Sequence, residues 1–323
     1  WISGVTLCVL MPRLLYGVTP TLVQWFHNFD WFVKRLFPLT VSLGHNQVLI
    51  TYTTNSCERL WKLLTLREDL TVSETAMWTP VSSVSRPAMA VFDGYLVVYS
   101  VASVSEDSDA LEATMYLYSL EKRVWETVEH CNDVCPSPAE ESILFTLNGH
   151  LSGGYKGDLW CFDIKTRVWT DLHLNTPRCI ICDYEIPLVT ADSCYFLSRR
   201  GFSLSWQGGS LVSRDEKVIS HSTGLSMPYT PIEASIGDGS QRVVLSSMTA
   251  TRYGLQTTCA AHVLDSVSME MVPLESIPVR CGGWGRTVTA AMLNPTTAVV
   301  VGYRDVVVVD VGSHLQTSEF YSD

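Results

Sequence analysis

Two stretches of this chain are near-copies of each other. Leu117-Tyr-Ser-Leu-Glu-Lys-Arg-Val-Trp125 and Cys161-Phe-Asp-Ile-Lys-Thr-Arg-Val-Trp169 each read as a strand, a tight polar turn and a second strand opening on Trp. Their Trp residues lie 44 apart, and steps of 47 back from Trp125 reach Trp78 and then Trp31. The pattern returns in weaker form from Leu264-Asp265 to Met271 and from Val309-Asp310 to Gln316, with one more ending expected near Ser210 to Asp215. A repeat of this length marks a supersecondary unit that cannot cover its own apolar faces and must stack on copies of itself. Few stretches keep a helical period, whereas Val, Thr, Tyr, Phe and Trp recur in short clusters, so the unit is made of strands.

A second marker checks the first. Each unit needs a hairpin turn between its first two strands, and Asn-Gly or Asp-Gly signals one strongly. The candidates are Ser3-Gly4, Gly44 to Asn46, Asp93-Gly94, Asn148-Gly149, Asp192-Ser193, Asp238-Gly239 and Asn294-Pro295. Seven turns alternate with seven strand-turn-strand endings, and 323 residues divided by seven gives units of roughly 46. Four short strands in such a unit make one propeller blade. Apolar runs such as Leu96 to Tyr99 and Val306 to Val309 fit strands covered on both faces. The expected architecture is therefore all-β: a seven-bladed β-propeller of four-stranded blades. It forms a single domain over 1–323, with the first blade incomplete at the N-terminus.

Residues 144 to 169 carry a fuller pattern: Gly153-Gly154, Tyr155, Leu159-Trp160-Cys161-Phe162-Asp163 and Trp169. This resembles the kelch-repeat family, in which an apolar strand ends in Gly-Gly and a strand with an aromatic and often Asp precedes a Trp. The other units keep only parts of it. Gly-Gly is absent after Leu96 to Tyr99 and after Ala298 to Val301, and Met271 or Gln316 stands where Trp is expected. WD-repeat propellers are the rival resemblance, since Leu-Trp-Cys-Phe-Asp followed by a turn also fits their third strand, but their regular Gly-His start is missing.

Composition narrows the function. A formal net charge of −11 argues against a broad nucleic-acid surface, because neutralising phosphates needs clustered Lys and Arg. No apolar run approaches the ~18 residues that a membrane span requires. Several of the ten cysteines sit in strand-like apolar runs (Cys8, Cys161) as small hydrophobes, and no Asn-X-Ser/Thr sequon is present. An intracellular, cytoplasmic setting is expected.

Catalytic signatures are missing: there is no Asp-box turn and no marked Tyr/His metal set, so neither an enzyme nor a cofactor is expected. His130-Cys131 with Cys135, and Cys179 with Cys182, have spacings that could ligate zinc, but neither has a partner pair, and thiol roles are the simpler reading. The Trp residues at the ends of units, Trp78, Trp125 and Trp169, read as packing between blades. Trp284, in Cys281-Gly-Gly-Trp-Gly-Arg286, reads equally as an exposed contact or as a loop anchor.

Connectivity points to a binding face. In a four-stranded meander the second-to-third and blade-to-blade connections emerge at one end, and the tight turns at the other. The longer loops are expected at the first end, carrying Tyr155, Lys156, Arg199, Arg200, Arg252, Tyr253, Trp284, Arg286, Tyr303 and Arg304. Arg, Tyr and Trp are the residues that most often anchor interfaces. Arginines on one rim of an acidic protein fit an acidic or phosphorylated peptide; scattered solvated arginines are the competing account. The expected function is a non-catalytic scaffold or adaptor binding a protein or peptide partner through that face. The alternative is a propeller enzyme, or a carbohydrate-binding propeller, with its site at the central channel.

Overall fold

The computed structural model describes residues 23–26 and 36–312, apart from 55, 57, 68–71, 83–85, 104–110, 129–142, 156–157, 173–186, 190–192, 197–201, 208–209, 216–218, 221–231, 238–240, 247–258, 269, 275–276, 278, 280–287 and 304. These residues form 25 strands in six sheets. Strand β1 (Val23–Phe26) comes first, and the first blade follows as β2 (Leu36–Gly44), β3 (Gln47–Thr53), β4 (Arg59–Leu66) and β5 (Val72–Ala76). The second is β6 (Arg86–Phe92), β7 (Tyr95–Ser103), β8 (Leu111–Ser119) and β9 (Trp125–Val128). The third is β10 (Ile143–Leu147), β11 (His150–Tyr155), β12 (Asp158–Asp163) and β13 (Val168–Asp171). The fourth is β14 (Leu188–Val189), β15 (Ser193–Phe196), β16 (Phe202–Gln207) and β17 (Ser210–Asp215). After β18 (Ile219–Ser220) comes the fifth, β19 (Ile232–Ile236), β20 (Gln241–Ser246), β21 (Ala260–Asp265) and β22 (Glu270–Pro273). The sixth is β23 (Thr289–Asn294), β24 (Thr297–Val301) and β25 (Val306–Asp310). Blades one to four are antiparallel meanders in sequence order; the fifth adds β18 parallel to its outer strand, the sixth takes β1 as its outer strand, and the fold is a β-propeller of four-stranded blades.

The tight turns form where the sequence allows a left-handed backbone. Asp93-Gly94 and Asn148-Gly149 both have positive φ at each central residue (48° and 79°, 48° and 74°), the geometry that matches the twist of a two-residue hairpin. Asp and Asn tolerate the first of these positions, and Gly meets no penalty at the second. At the other tight turn, a polar side chain ending the third strand caps the loop. Asp163 accepts from the Lys165 and Thr166 amides at 2.8 and 3.0 Å. Asp265 does the same for Val267 and Ser268 at 2.8 and 3.0 Å, and the Ser119 hydroxyl accepts from the Lys122 amide at 3.1 Å. These Asx and Ser turns are why the copied segments read strand, polar residue, turn.

The chain divides into two compact units of three blades each. One holds residues 1–56, 60–77 and 218–323; the other holds 57–59 and 78–217. In the first, Val48, Ile50, Leu64 and Leu66 of the first blade pack on Leu293, Val299, Val306 and Val308 of the sixth. A hydrogen bond between the Thr40 and Thr289 hydroxyls (2.8 Å) ties their inner strands. In the second unit, Val97, Tyr99, Met115 and Leu117 of the second blade pack on Leu151, Trp160, Phe162 and Trp169 of the third. The opposite face of the third blade meets Cys194 and Leu204 of the fourth through Phe145, Leu147 and Leu159. Trp160 stands directly across from Gly153, and a Cβ built on that glycine would lie 2.2 Å from the indole ring. The first glycine of Gly153-Gly154 is therefore the floor on which the Trp160 ring lies.

The blade count corrects the sequence reading: the described residues form six blades, not seven. Six of the seven expected turns join first and second strands; the seventh, Ser3-Gly4, lies outside the described residues. The ending expected at Val309 to Gln316 is not a local hairpin. Its outer strand is β1, paired antiparallel to β25 with Gln24 opposite Val309, so the N-terminal segment completes the sixth blade instead of opening another. First strands begin at 36, 86, 143, 188, 232 and 289, so the unit is irregular, with some spacings near 46 and others well above it.

The Trp positions also need a correction. Trp125 and Trp169 lie opposite Tyr118 and Phe162, and Met271 lies opposite Leu264 in the fifth blade, as expected for the repeat. Trp78 does not belong to this set. The Leu66 amide donates to Asn46 O as the Leu120 amide donates to Gly94 O, so Leu64 corresponds to Tyr118, and its partner is Glu74. Trp78 falls beyond the end of β5 and is 75 % exposed, so it is not a packing residue between blades.

Candidate functional site

The two ends of the blades differ in how much chain they carry. First-to-second connections contain two to four residues and third-to-fourth connections two to five. Second-to-third connections run from two residues (156–157) to thirteen (247–259), and those leading from one blade to the next contain nine or more. Backbone conformation explains the short set, since two-residue type I′ loops and capped Asx turns leave no slack. The end with the longer connections is where varied side chains can be displayed on a fixed scaffold.

In chain order the sequence-nominated residues fall in these connections. Arg199 and Arg200 belong to the β15–β16 connection, Arg252 and Tyr253 to β20–β21, and Tyr303 and Arg304 to β24–β25. Trp284 and Arg286 belong to the connection leading from β22 to β23. Lys156, Arg199, Arg200, Arg252, Tyr253, Trp284, Arg286 and Arg304 lie outside the described residues. Tyr155 is corrected in one respect: it is the last residue of β11, paired with Asp158, so the third blade has a two-residue connection rather than a long loop. Tyr303 sits half-buried in a turn closed by the Gly302 amide donating to Asp305 O at 2.8 Å.

Sequence reading missed three features of the described residues. The first is a polar row inside the fifth blade. Ser235, Val244, His262 and Pro273 stand in register across β19, β20, β21 and β22, and Arg242 projects from the same face two residues before Val244. Arg242 and His262 are buried, and neither Ser235 Oγ nor His262 Nδ1 has a hydrogen-bond partner among the described residues. Burial holds the His262 imidazolium pKa below its ordinary value. Strand alternation carries a signal for this row, since Arg242 shares a face with Val244 in β20 and His262 shares one with Leu264 in β21.

The second is an aromatic group on the outer side of the second blade. Tyr118 and Trp125 rings lie 5.0 Å apart, and the Trp125 indole N–H donates to the Trp78 carbonyl at 3.0 Å. The third is an ion pair between Arg167 and Glu126 that joins the turn of the third blade to the outer strand of the second. Arg123 and Arg167, equivalent in the two copied segments, both take left-handed conformations (φ 57° and 59°). L-residues other than Asn and Asp adopt that region at a cost of roughly 1 kcal/mol.

For chemistry, the described residues offer little to work with. No group of three or more His, Cys, Asp or Glu able to hold a metal occurs among them. Cys131, Cys135, Cys179 and Cys182 lie outside the described set. Burial first, and the nearby Asp163 carboxylate second, raise the Cys161 thiol pKa, which keeps it in the poorly nucleophilic form. Asp163 is shifted the other way, its carboxyl held below the usual range chiefly by the Thr166 and Lys165 amides. No helix among the described residues is long and apolar enough to cross a membrane.

No family model matches the chain, and no curated protein matches it. Solved structures do. One described as the structure of YjhT superposes with a TM-score of 0.54 at 13% identity, covering 85% of this chain and 94% of that one. A protein of unknown function from Dyadobacter fermentans gives a TM-score of 0.55 at 10% identity, covering 88% of this chain and 96% of that one. At these identities the likeness is one of fold.

Proposed function

We propose that this chain is a kelch-like propeller, one domain over 1–323, that works as a non-catalytic interaction scaffold for a protein or peptide partner. The observation that supports the reading is that connections leading from one blade to the next contain nine residues or more, whereas first-to-second and third-to-fourth connections contain two to five. Trp284 and Arg286 belong to a blade-to-blade connection and Arg252 and Tyr253 to the thirteen-residue β20–β21 connection, while Arg199, Arg200, Tyr303 and Arg304 belong to second-to-third connections no longer than the short turns. Packed blades hold loop ends in place at no further ordering cost, which is what a scaffold contributes to affinity. The Gly153–Trp160 pairing supports the kelch-like descent, because it gives Gly-Gly followed by a strand aromatic a physical reason in the blade that keeps the full motif.

An acidic or phosphorylated peptide is the partner chemistry this set of cations favours, since Arg pairs with carboxylate and phosphate through two parallel hydrogen bonds. The test is a titration of the partner purified with the protein from its native cells, against wild type and Arg199→Ala/Arg200→Ala, at two salt concentrations. Partly desolvated charge-assisted hydrogen bonds contribute about 1.5–3 kcal/mol each, so the double variant should lose affinity by a factor in the hundreds. Unchanged affinity would move the site off this end of the blades. Carboxylates gathered in the central channel, with turnover of a substrate, would favour an enzyme instead.

A further inference from the structure

We infer that Asn148, at the tip of the β10–β11 turn, is a modification site: it deamidates in the native protein by attack of the Gly149 amide, with water as the second reactant. Of the two products, aspartate leaves the third blade intact, whereas isoaspartate opens it at that turn.

The chain supplies its own comparison set. Three first-to-second turns contain or adjoin an Asn, at 46, 148 and 294, and the residues that follow are Gln47, Gly149 and Pro295. Deamidation needs the backbone nitrogen of the next residue to lose its proton and reach the side-chain carbonyl carbon. Pro295 has no N–H, so Asn294 cannot cyclise. The Asn294 side-chain oxygen is also held, accepting from the Thr296 amide and hydroxyl at 3.0 and 3.2 Å and from the Thr297 amide at 2.8 Å. Gln47 already belongs to the ladder, paired with Gly44, and its side chain donates from Nε2 to Thr65 Oγ1 at 3.4 Å. Asn148 meets neither obstacle. The β10–β11 ladder closes at Leu147 and His150, so the amides of the two loop residues lie outside it. Both loop residues are exposed, and a Cβ built on Gly149 would meet nothing within 4 Å. Ring closure requires the Asn148–Gly149 peptide to rotate out of its hairpin orientation. Turn tips open in this way far below the free energy of global unfolding.

The step needs no oxidant or reductant. Gly149 N bonds to Asn148 Cγ, and the side-chain nitrogen leaves as ammonia with the proton displaced from Gly149, giving a five-membered imide. Water then opens the ring. Cleavage of the new C–N bond leaves Asp at 148 in an ordinary main chain. Cleavage of the original peptide bond routes the main chain through Cβ, as isoaspartate. The fold already displays the first product: Asp93-Gly94 of the second blade has φ of 48° and 79°, against 48° and 74° for Asn148-Gly149. Isoaspartate instead lengthens the main chain of a two-residue loop, whose twist matches its strands only at that length. The adjoining Leu147 packs with Phe145 and Leu159 on Cys194 and Leu204 of the fourth blade, so lost register at the turn loosens that contact.

The experiment ages the native full chain in mildly alkaline buffer and digests it with pepsin at acidic pH, where the amide is stable. Mass spectrometry with electron-transfer fragmentation then locates each conversion and separates Asp from isoaspartate. Conversion at Asn148 should run at least about tenfold ahead of that at Asn46, with none at Asn294, and should yield both products. The aged species are separated by chromatography and unfolded by heat beside Asn148→Asp made directly. The isoaspartyl form should unfold at a lower temperature than the unaged protein, and Asn148→Asp at the same temperature. Conversion at Asn148 no faster than at Asn46, an Asn148→Asp protein that unfolds below wild type, or an isoaspartyl form that unfolds with wild type would each overturn the inference.

Discussion

Replacing Gly153 by Ala tests whether the third blade is built around one close approach. The new Cβ would sit 2.2, 2.4 and 2.7 Å from three carbons of the Trp160 ring, distances no real methyl group tolerates. Nor can the ring step aside. It is backed by Tyr99 at 5.4 Å between centroids and by Trp169 at 4.6 Å in an edge-on contact, and Trp169 also packs on Phe162 at 4.5 Å. Overpacking a well-filled core costs about 1–3 kcal/mol, and with aromatic neighbours fixing the ring the upper half of that range applies. Trp160→Leu alone loses buried ring surface and is destabilising too, but it removes the obstacle. In that background a Cβ at 153 meets only a flexible side chain, and Ala restricts the unfolded chain more than Gly, which stabilises by about 0.4–1 kcal/mol. The same substitution should therefore change sign between backgrounds. Urea unfolding of wild type, both single variants and the double variant, followed by far-ultraviolet circular dichroism, reads this as a double-mutant cycle. Residues in contact couple by about 0.5–3 kcal/mol. Additive effects, or Gly153→Ala within 0.5 kcal/mol of wild type, would refute the argument.

Three further outcomes follow from the same structure. Trp169→Ala, which empties a site that is 2 % exposed, should cost about 3–5 kcal/mol, whereas Trp78→Ala should leave the unfolding midpoint nearly unchanged. Equal shifts would return Trp78 to the packing set. Asp163→Ala should speed amide hydrogen exchange at Lys165 and Thr166, and Asp163→Asn should largely restore protection, because the cap needs an acceptor oxygen more than a charge. Burial lowers the His262 pKa, so the unfolded chain takes up its proton first; the stability this group contributes is whole above about pH 6.5 and declines as pH falls from there toward the folded value. The unfolding midpoint measured from pH 7.5 to 5.5 should fall less steeply in His262→Leu than in wild type.

Much of the fold was legible because it rests on local chemistry. Asp93-Gly94 and Asn148-Gly149 specify their turns through φ, and Asp163 and Asp265 specify theirs through two amide hydrogen bonds, so each can be located from a few neighbouring residues. The blade count depends on something non-local. Whether residues after Asp310 or residues near Val23 supply the outer strand of the sixth blade is decided by pairing across almost the whole chain, and neither segment carries a local mark of it. Trp78 misled for a related reason. A spacing of 47 is close to the repeat length, but register, fixed by the Leu66 and Asn46 main chain, assigns the repeated position to Glu74.

The binding residues were legible only as positions. Strand ends assign Arg199, Arg252 and Tyr303 to second-to-third connections because the meander permits nothing else, yet their selection came from residue type. Connections rich in Arg recognise charge, so binding there should weaken as salt screens interactions beyond ~10 Å at 0.1 M.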